Sequence, residues 1–356
     1  MKNVVMLVCF ALVWLSKPHY ALAQKQLPPQ VVILQYHHVA NNTPAATSVT
    51  PETFRQHMQY LSEHHQVVRL KDAIAAIQNN RPLPENAISI TFDDGYENIL
   101  TNAHPILMEF GFAYTVFINP SSINTLGDQM TWQQVKQMQP LADFANHTLD
   151  HLHLLQRLSN ENENQWLSRV MANIEDAEQQ LLEQLGYSYK WLAYPYGEFN
   201  TQLQKALSEA GYIAFGQQSG AVAKHSQFNA LPRFPAAGRY ANIDTLKVKM
   251  SSIAMPVISH SPSGHQRSPG DVMTDFSLSL DGNNTDLNQQ QLACFFKGER
   301  IVPNVSNNIM QIELEHTFTP GRVRINCTAP SKSRKGRFYW HSVAFFTPTE
   351  KGIFLD

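Results

Sequence analysis

The chain has 356 residues, a formal net charge of −2 and a charged fraction of 16%. This near-neutral balance gives no reason to propose nucleic acid as a partner, because phosphate binding needs a basic surface. The length fits one larger domain and one small one.

The N-terminus has the pattern of a secretory signal. A positive start at Met1–Lys2 precedes the apolar stretch Val4–Leu15, and Ala21 and Ala23 follow at the spacing of a cleavage site. We predict a signal peptide over residues 1–23 and export to the periplasm or the cell exterior; an anchor that stays uncut is the alternative. No later segment is apolar enough to span a bilayer, so no transmembrane span is expected after cleavage.

The middle of the chain alternates strand-like and helix-like patterns. The predicted strands are Val31–Tyr36, Gln66–Leu70, Ala87–Phe92, Ala113–Ile118, Lys190–Tyr194 and Ile213–Gly216. The predicted helices are Pro51–Glu63, Lys71–Ile77, Tyr96–Phe110, Trp132–Met138 and Asn162–Leu185. This alternation indicates an α/β fold with a parallel sheet, either open or closed into a barrel. In both forms, functional groups collect at the carboxyl ends of the strands.

The pattern changes after about Ser259. Residues 259–272 are rich in Ser, Pro and Gly, and we predict that they form a linker. Beyond them apolar residues alternate, as in Phe276, Leu278 and Leu280, and turn signals separate such runs. We predict a small antiparallel β-sandwich over residues 273–356, with a role that the sequence does not define.

Two cysteines, Cys294 and Cys327, remain after signal cleavage, and both lie on predicted strands of this region. In an exported protein such a pair favours a disulfide; two buried unpaired thiols are the alternative. With both sulfurs in a disulfide, metal ligands have to come from His and Asp.

Two short motifs carry the chemistry. Asp93 and Asp94 stand at the end of an apolar run, and His147 and His151 are four positions apart. Neither motif is specific alone, since an Asp-Asp-Gly sequence is usually a turn. Together, one carboxylate and two imidazoles supply a divalent-metal site, and the second carboxylate is left to act as a base. The sequence therefore indicates metal-assisted hydrolysis.

Three motifs, Thr91–Gly95, His147–His151 and Tyr194–Gly197, resemble in order and spacing the first three motifs of the NodB-type polysaccharide deacetylases (carbohydrate esterase family 4). Upstream, Leu34–Val39 is similar to the circularly permuted branch, which includes the poly-β-1,6-N-acetylglucosamine N-deacetylases. The resemblance implies a distorted (β/α) barrel with fewer than eight repeats, and we place this domain at residues 24–258.

The resemblance also implies roles for individual residues. The metal ligands would be Asp94, His147 and His151. Asp93 would be the general base that deprotonates the attacking water, and His37 the acid that protonates the departing amine. Two imidazoles and one carboxylate with an open position are typical of Zn²⁺, although the same ligands also bind Co²⁺, Ni²⁺ or Fe²⁺.

Further residues complete the predicted site. The backbone N–H of Tyr196, after Pro195, would stabilise the developing oxyanion, and Trp132 is the aromatic residue expected to contact a sugar ring. Many family members carry an arginine two residues before the motif-three proline, where this chain has Ala193. Arg233 is a candidate to take its place and orient the base; a surface arginine is the alternative.

Three other histidines are alternatives to the predicted set. His260 would be the acid if the chain were not permuted. His38 should point to the opposite face from His37 on an extended segment, and His153 is out of phase with the histidine pair. Neither is expected to be a metal ligand.

The sequence thus predicts metal-dependent N-deacetylation of an N-acetylglucosamine polysaccharide, with release of acetate. Two alternatives stay open: an acetyl-ester or other amide hydrolase on the same site, and a carbohydrate-binding protein that has lost catalysis. The complete set of predicted site residues argues against the second. Exopolysaccharide, chitin and peptidoglycan present the same acetamide, so the sequence does not define the polymer. Protein partners and the oligomeric state are equally undefined.

Overall fold

The computed structural model describes residues 27–125 and 127–355. The predicted signal peptide, residues 1–23, lies outside the described residues. The described chain has an α/β unit, residues 27–252, and a C-terminal unit of strands, residues 253–355. No helix within these described ranges is both long and apolar enough to cross a bilayer.

One sheet organises the α/β unit. The strands are β1 (Gln30–Tyr36), β2 (His38–Val39), β3 (Ser48–Val49), β4 (Gln66–Val67), β5 (Ala87–Asp94), β6 (Tyr114–Ile118), β7 (Ala142–Asn146), β8 (Trp191–Ala193), β9 (Ile213–Phe215), β10 (Ala221–Ala223) and β11 (Phe234–Pro235). Nine of them form a sheet with the order β10-β1-β5-β6-β7-β8-β9, in which β4 also pairs with β5 and β11 with β1. Neighbours from β1 to β9 are parallel, which confirms the predicted α/β arrangement.

The segment Leu231–Pro235 contacts two strands that are far apart in the order of this sheet, β9 and β1. Leu231 forms a bridge with Phe215 of β9, and Phe234 pairs with Leu34 of β1. Arg233 stands between these two contacts, so it lies between β9 and β1.

Helices connect most of the parallel strands. They are α1 (Pro51–His64), α2 (Leu70–Gln78), α3 (His104–Phe110), α4 (Trp132–Met138), α5 (Glu163–Leu185), α6 (Thr201–Glu209) and α7 (Ile243–Met250). The side chain of Thr50 caps α1 as its position predicts, and Gly186 ends α5 with a φ of 81°. The helix predicted from Tyr96 instead begins with a π-helical stretch, Ile99–Ala103. Pro105 explains part of this irregularity, because proline lacks the N–H that would continue the α-helical pattern.

Strand β7 is absent from the predicted elements because two of its five residues are polar. Asp143 and Asn146 are nonetheless buried. Asp143 accepts hydrogen bonds from Lys71 at 3.0 Å and Arg69 at 3.3 Å, and Asn146 donates to Glu178 at 2.8 Å. These partners satisfy groups that would otherwise oppose burial.

The register of the parallel strands aligns the residues that follow them. The last residue of β1 pairs with Phe92 of β5, so His37 and Asp93, the next residues, lie side by side. Asp94 pairs with the last residue of β6, which pairs with the last residue of β7, and His147 comes directly after it. The sheet therefore brings these four polar side chains to one edge.

The C-terminal unit contains two further sheets. Its strands are β12 (Ile253–Ala254), β13 (Val257–Ser261), β14 (Val272–Leu280), β15 (Ala293–Phe296), β16 (Glu299–Ile301), β17 (Asn304–Ser306), β18 (Ile309–Thr317), β19 (Gly321–Pro330) and β20 (Phe338–Thr347). The sheet orders are β12-β20-β19-β15-β16 and β13-β14-β18-β17, and apolar residues from both sheets share one core. The segment 259–272, predicted as a linker, begins inside β13, which pairs with β14.

Cys294 of β15 lies opposite Cys327 of β19, and a disulfide joins them. Both sulfurs are therefore committed within the C-terminal unit.

Strand β20 and the residues before it hold the C-terminal unit against the α/β unit. The ring of Trp340 packs edge-on against Phe234, with centroids 5.3 Å apart. Arg334 donates a hydrogen bond to Glu85 at 2.7 Å. The two units thus share apolar and charged contacts.

Candidate metal centre and active site

Asp94, His147 and His151 converge at the carboxyl edge of the sheet. Asp94 Oδ1 lies 3.2 Å from His147 Nε2 and 3.4 Å from His151 Nε2, and the three ligand atoms all lie within 4.8 Å of one another. No other group of three or more potential His, Cys, Asp or Glu ligands occurs in residues 27–125 and 127–355. The structure thus brings the predicted ligand set together.

The backbone around this triad adopts conformations that L-residues seldom adopt. Asp94 has a φ of 74°, Thr148 of 70° and His151 of 59°. Gly95 has a φ of 81°, and a Cβ atom there would lie 2.9 Å from Cγ2 of Ile118. Such conformations persist only where the surrounding structure enforces them, and they cluster at functional sites.

His147 is oriented through its second ring nitrogen. Its Nδ1 lies 2.8 Å from the carbonyl oxygen of Ala193. Because a carbonyl oxygen only accepts, Nδ1 carries the proton, and in the neutral ring Nε2 presents a lone pair toward Asp94. Asn119 donates a hydrogen bond to the carbonyl oxygen of His147. The His147 ring is therefore held in the orientation that a metal ligand requires.

The charges of the triad suit a cation. Burial disfavours the charged form of Asp94, but the close approach of His147 and the charges of nearby histidines hold the pKa of this carboxyl well below its usual range. Burial and the neighbouring His147 lower the pKa of His151 to about 4, so its ring is neutral at pH 7. Burial opposes charge on His147 as well, but Asp94 and Asp93 raise its pKa, so a metal ion would displace a proton there. A carboxylate and two imidazoles that face one point fit a divalent metal ion.

Asp93 is a second ionised carboxylate beside the triad. It is fully buried, and the Arg233 guanidinium holds it through Nη1–Oδ1 and Nη2–Oδ2 hydrogen bonds of 2.7 and 2.8 Å. Gln35 Nε2 donates to Oδ2 at 2.7 Å. Burial disfavours its charged form, but Arg233 outweighs this effect and lowers the pKa of Asp93. This carboxylate is therefore both charged and fixed in orientation.

His37 also lies beside Asp93. Its Nε2 is 3.9 Å from Asp93 Oδ2, and its side chain is 17% exposed, so a ligand can reach it. The next residue, His38, faces away: its ring stacks on Tyr96 at 3.7 Å, and its Nδ1 lies 2.9 Å from Asn98 Nδ2. His37 thus belongs to the site, whereas His38 supports the structure around it.

A tight turn places Tyr196 beside the triad. Tyr196 has a φ of 57° and the following Gly197 one of 71°. The tyrosine ring stacks on His153 at 3.9 Å with an interplanar angle of 11°, and its centroid is 4.6 Å from that of His151. Backbone and ring of Tyr196 therefore border the candidate metal centre.

Residues 80–215 match the family model described as polysaccharide deacetylase. Over this part of its length the chain is similar to the polysaccharide deacetylase family. It is 24% identical over 222 residues to a poly-β-1,6-N-acetyl-D-glucosamine N-deacetylase of Escherichia coli K12, covering 52% of this chain and 33% of that protein. It is 27% identical over 199 residues to the Staphylococcus aureus MSSA476 protein of the same name, covering 52% and 67%. The chain thus spans a third of the first relative's length and two thirds of the second's.

Solved structures share the fold of the α/β unit. Streptococcus pyogenes deacetylase PplD, in complex with acetate, superposes with a TM-score of 0.56 at 22% identity, covering 63% of this chain and 99% of that one. IcaB from Ammonifex degensii gives a TM-score of 0.54 at 20% identity, with coverages of 63% and 98%. The predicted resemblance to polysaccharide deacetylase enzymes is therefore confirmed, and the C-terminal sheets are additional to this fold.

Of the predicted site residues, His260 lies apart from this cluster, and Trp132 has no described contact with it. His260 packs against His265, with ring centroids 5.3 Å apart, and its Nδ1 is 3.0 Å from the carbonyl oxygen of Pro262. Trp132 begins α4 and lies half-buried against the core of the α/β unit. Its contact with a sugar stays a prediction.

Three residues near the candidate active site were not predicted from the sequence. Gln35 could have been found, because it is a polar residue directly after the apolar run Val31–Leu34 and one position from the strand's end. Glu198 is buried beside the turn, and its Oε2 lies 3.0 Å from His153 Nδ1. Arg322 of β19 donates to the carbonyl oxygen of Tyr196 at 2.7 Å. No local signal points to Arg322, since it comes from the C-terminal unit.

Proposed function

We propose that the chain is a metal-dependent N-deacetylase that hydrolyses the acetamide of N-acetylglucosamine units in a polysaccharide and releases acetate. One observation carries the proposal: three candidate metal ligands face one point, next to a separate ionised carboxylate. The names of the Escherichia coli and Staphylococcus aureus relatives support poly-β-1,6-N-acetylglucosamine as the substrate class.

Asp94, His147 and His151 would hold the metal ion. Zn²⁺ suits two imidazoles and one carboxylate best, and Co²⁺, Ni²⁺ or Fe²⁺ would suit the same ligands. When bound, such an ion polarises the acetamide carbonyl and makes water a better nucleophile at neutral pH.

Asp93 takes the proton of the attacking water in the proposed mechanism. Its charge and orientation support this role, because Arg233 and Gln35 hold the carboxylate in place. His37 gives a proton to the departing amine. Tyr196, which follows Pro195, donates its backbone N–H to the oxygen that gains negative charge. Water and the acetamide thereby become acetate and a free amine.

The organisation of the chain is part of the proposal. Residues 1–23 would direct export to the periplasm or the cell exterior. The deacetylase domain, predicted at residues 24–258, would be a distorted barrel completed by the segment Leu231–Pro235, although its residues from Ile253 onward include strands of the C-terminal sheets. Residues 273–356 would be an accessory β-sandwich that follows the segment 259–272. The disulfide between Cys294 and Cys327 is compatible with an oxidising compartment.

Paired variants test the division of roles between the two neighbouring aspartates. Asp94→Asn should lose bound metal and acetate release together, whereas Asp93→Asn should keep the metal and lose turnover. Asp150→Asn is a matched control, because this carboxylate is exposed on the same loop as the histidines. Metal content and acetate release from poly-β-1,6-N-acetylglucosamine and chitin oligomers are the two measurements. Equal metal loss in Asp93→Asn would contradict its role as base. A metal-loaded wild type that releases acetate from neither polymer would contradict the proposed function.

A further inference from the structure

We propose that Arg322, on β19 of the C-terminal unit, is a positioning residue of the deacetylase site. Its Nη1 donates to the carbonyl oxygen of Tyr196 at 2.7 Å and to Gln217 Oε1 at 3.0 Å. The inference rests on the proposed function, because it concerns the Tyr196 peptide that would stabilise the oxyanion. It assigns the C-terminal unit a part in that site.

The turn around Tyr196 needs external support. Tyr196 has φ and ψ of 57° and 0°, a left-handed conformation that is unfavourable for a residue with a side chain. Two hydrogen bonds close the turn, from Gly197 N to Tyr194 O at 2.9 Å and from Glu198 N to Pro195 O at 3.2 Å. Neither of them restrains the carbonyl group of Tyr196, which Arg322 holds.

Gln217 braces the same turn from outside. A Cβ atom on Gly197 would lie 2.9 Å from both Cβ and Cγ of Gln217, so the two residues are in direct contact. Arg322 binds the side-chain oxygen of Gln217, and Arg324 Nη1 binds its carbonyl oxygen at 3.0 Å. On the inner side the ring of His153 stacks on that of Tyr196. Arg322 therefore holds the turn directly, at Tyr196, whereas Arg324 reaches only the backbone of the neighbouring Gln217.

The hydrogen bond from Arg322 affects the direction of the Tyr196 N–H. Peptide units are planar, so the orientation of one unit is linked to the next through only two dihedral angles. Fixing the carbonyl of Tyr196 with a charged donor restrains the unit after this residue and, through φ and ψ, the unit before it. A donor that stabilises an oxyanion works only at the correct position, so loss of this restraint should weaken catalysis more than substrate binding.

Variants of Arg322 test the proposal on the full chain. Arg322→Ala should lower kcat roughly tenfold, a fraction of the loss that follows removal of an oxyanion donor, while KM and metal content change little. Arg322→Lys should recover part of kcat. Arg324→Ala is the matched control, because it removes a contact of the same interface without touching Tyr196; its kcat should stay near the wild-type value. Equal losses of kcat in the two alanine variants, or none in Arg322→Ala, would overturn the proposal.

Hydrogen–deuterium exchange separates this inference from the proposed function. A peptide that covers residues 194–199 should exchange faster in Arg322→Ala than in wild type and in Arg324→Ala, whether or not the substrate is correctly identified. Exchange that is unchanged in Arg322→Ala would overturn the inference even if the wild type releases acetate. Faster exchange in a protein that releases no acetate would keep the structural role and reject the proposed function.

Discussion

Arg233 and Asp93 form two parallel hydrogen bonds of 2.7 and 2.8 Å, although 140 positions separate them in the chain. Both side chains are fully buried. Arg233 reaches the carboxylate from the segment Leu231–Pro235, which contacts β9 and β1 of the main sheet. The charge of the candidate base therefore depends on a residue that is distant in the sequence.

Replacing Arg233 should change the pH dependence of the reaction. In Arg233→Met no guanidinium offsets the effect of burial on Asp93, so the pKa of this carboxyl should rise. The acidic limb of the pH profile of kcat/KM should therefore move to higher pH. The unpaired charge should also lower the free energy of unfolding by about 3–5 kcal/mol. Measurement of the pH–rate profile and of denaturant unfolding checks both effects. Arg239→Met, at an exposed position, is the control; an acidic limb that does not move in Arg233→Met would contradict the account.

Removal of a metal ligand should abolish stabilisation by the metal. An ion that binds only the folded wild-type chain raises stability, by about 2.7 kcal/mol at a concentration one hundred times Kd. His147→Ala should show no rise in Tm when Zn²⁺ is added, because only two ligands of the triad remain. His64→Ala, at an exposed position on α1, should behave like the wild type. An undiminished Zn²⁺ effect in His147→Ala would place the metal elsewhere.

The two candidate acids can be compared directly. His37 lies 3.9 Å from Asp93, whereas His260 packs against His265 in the C-terminal unit. His37→Gln should reduce kcat by roughly 10²–10⁴-fold, the usual contribution of a general acid, and should leave the metal content unchanged. His260→Gln should leave kcat near the wild-type value. The reverse pattern of rates would assign the acid role to His260.

Acidification should destabilise the chain through His265. This ring is buried, its Nδ1 lies 2.9 Å from the carbonyl oxygen of Ala344, and burial lowers its pKa from 6.5 to about 4. Between these values the unfolded chain binds more protons than the folded chain, so the free energy of unfolding falls as the pH falls. The His265 contribution is about 2 kcal/mol between pH 7 and pH 5.

Denaturant unfolding at several pH values measures this effect. His265→Gln should show a smaller loss of stability between pH 7 and pH 5 than the wild type. His64→Gln is the control, because this side chain is 53% exposed and should leave the pH dependence unchanged. The same pH dependence in His265→Gln and wild type would show that His265 does not contribute.

Much of the site could be predicted because its residues follow strands directly. Asp93 and Asp94 end β5, and His37 follows β1. Functional groups collect at the carboxyl ends of parallel strands, and this rule was enough to predict that these residues lie together. The alternating apolar pattern likewise indicated the strand-rich C-terminal unit. These features depend on local sequence and on strand order alone.

Other features depend on contacts that local sequence does not encode. β7 was missed because Asp143 and Asn146 interrupt its apolar pattern, and their burial depends on partners from α2 and α5. Arg322 was missed because its contact with Tyr196 depends on how the C-terminal unit lies against the α/β unit. Such residues follow only from the three-dimensional arrangement.

The most direct test of the central claim is acetate release by the purified mature chain from poly-β-1,6-N-acetylglucosamine oligomers, before chelation, after chelation and after return of Zn²⁺ or Co²⁺. We predict release that chelation abolishes and added metal restores, because Asp94, His147 and His151 would hold the ion that activates the reaction. Release that persists in the chelated, metal-free protein would contradict a metal-dependent mechanism at this triad.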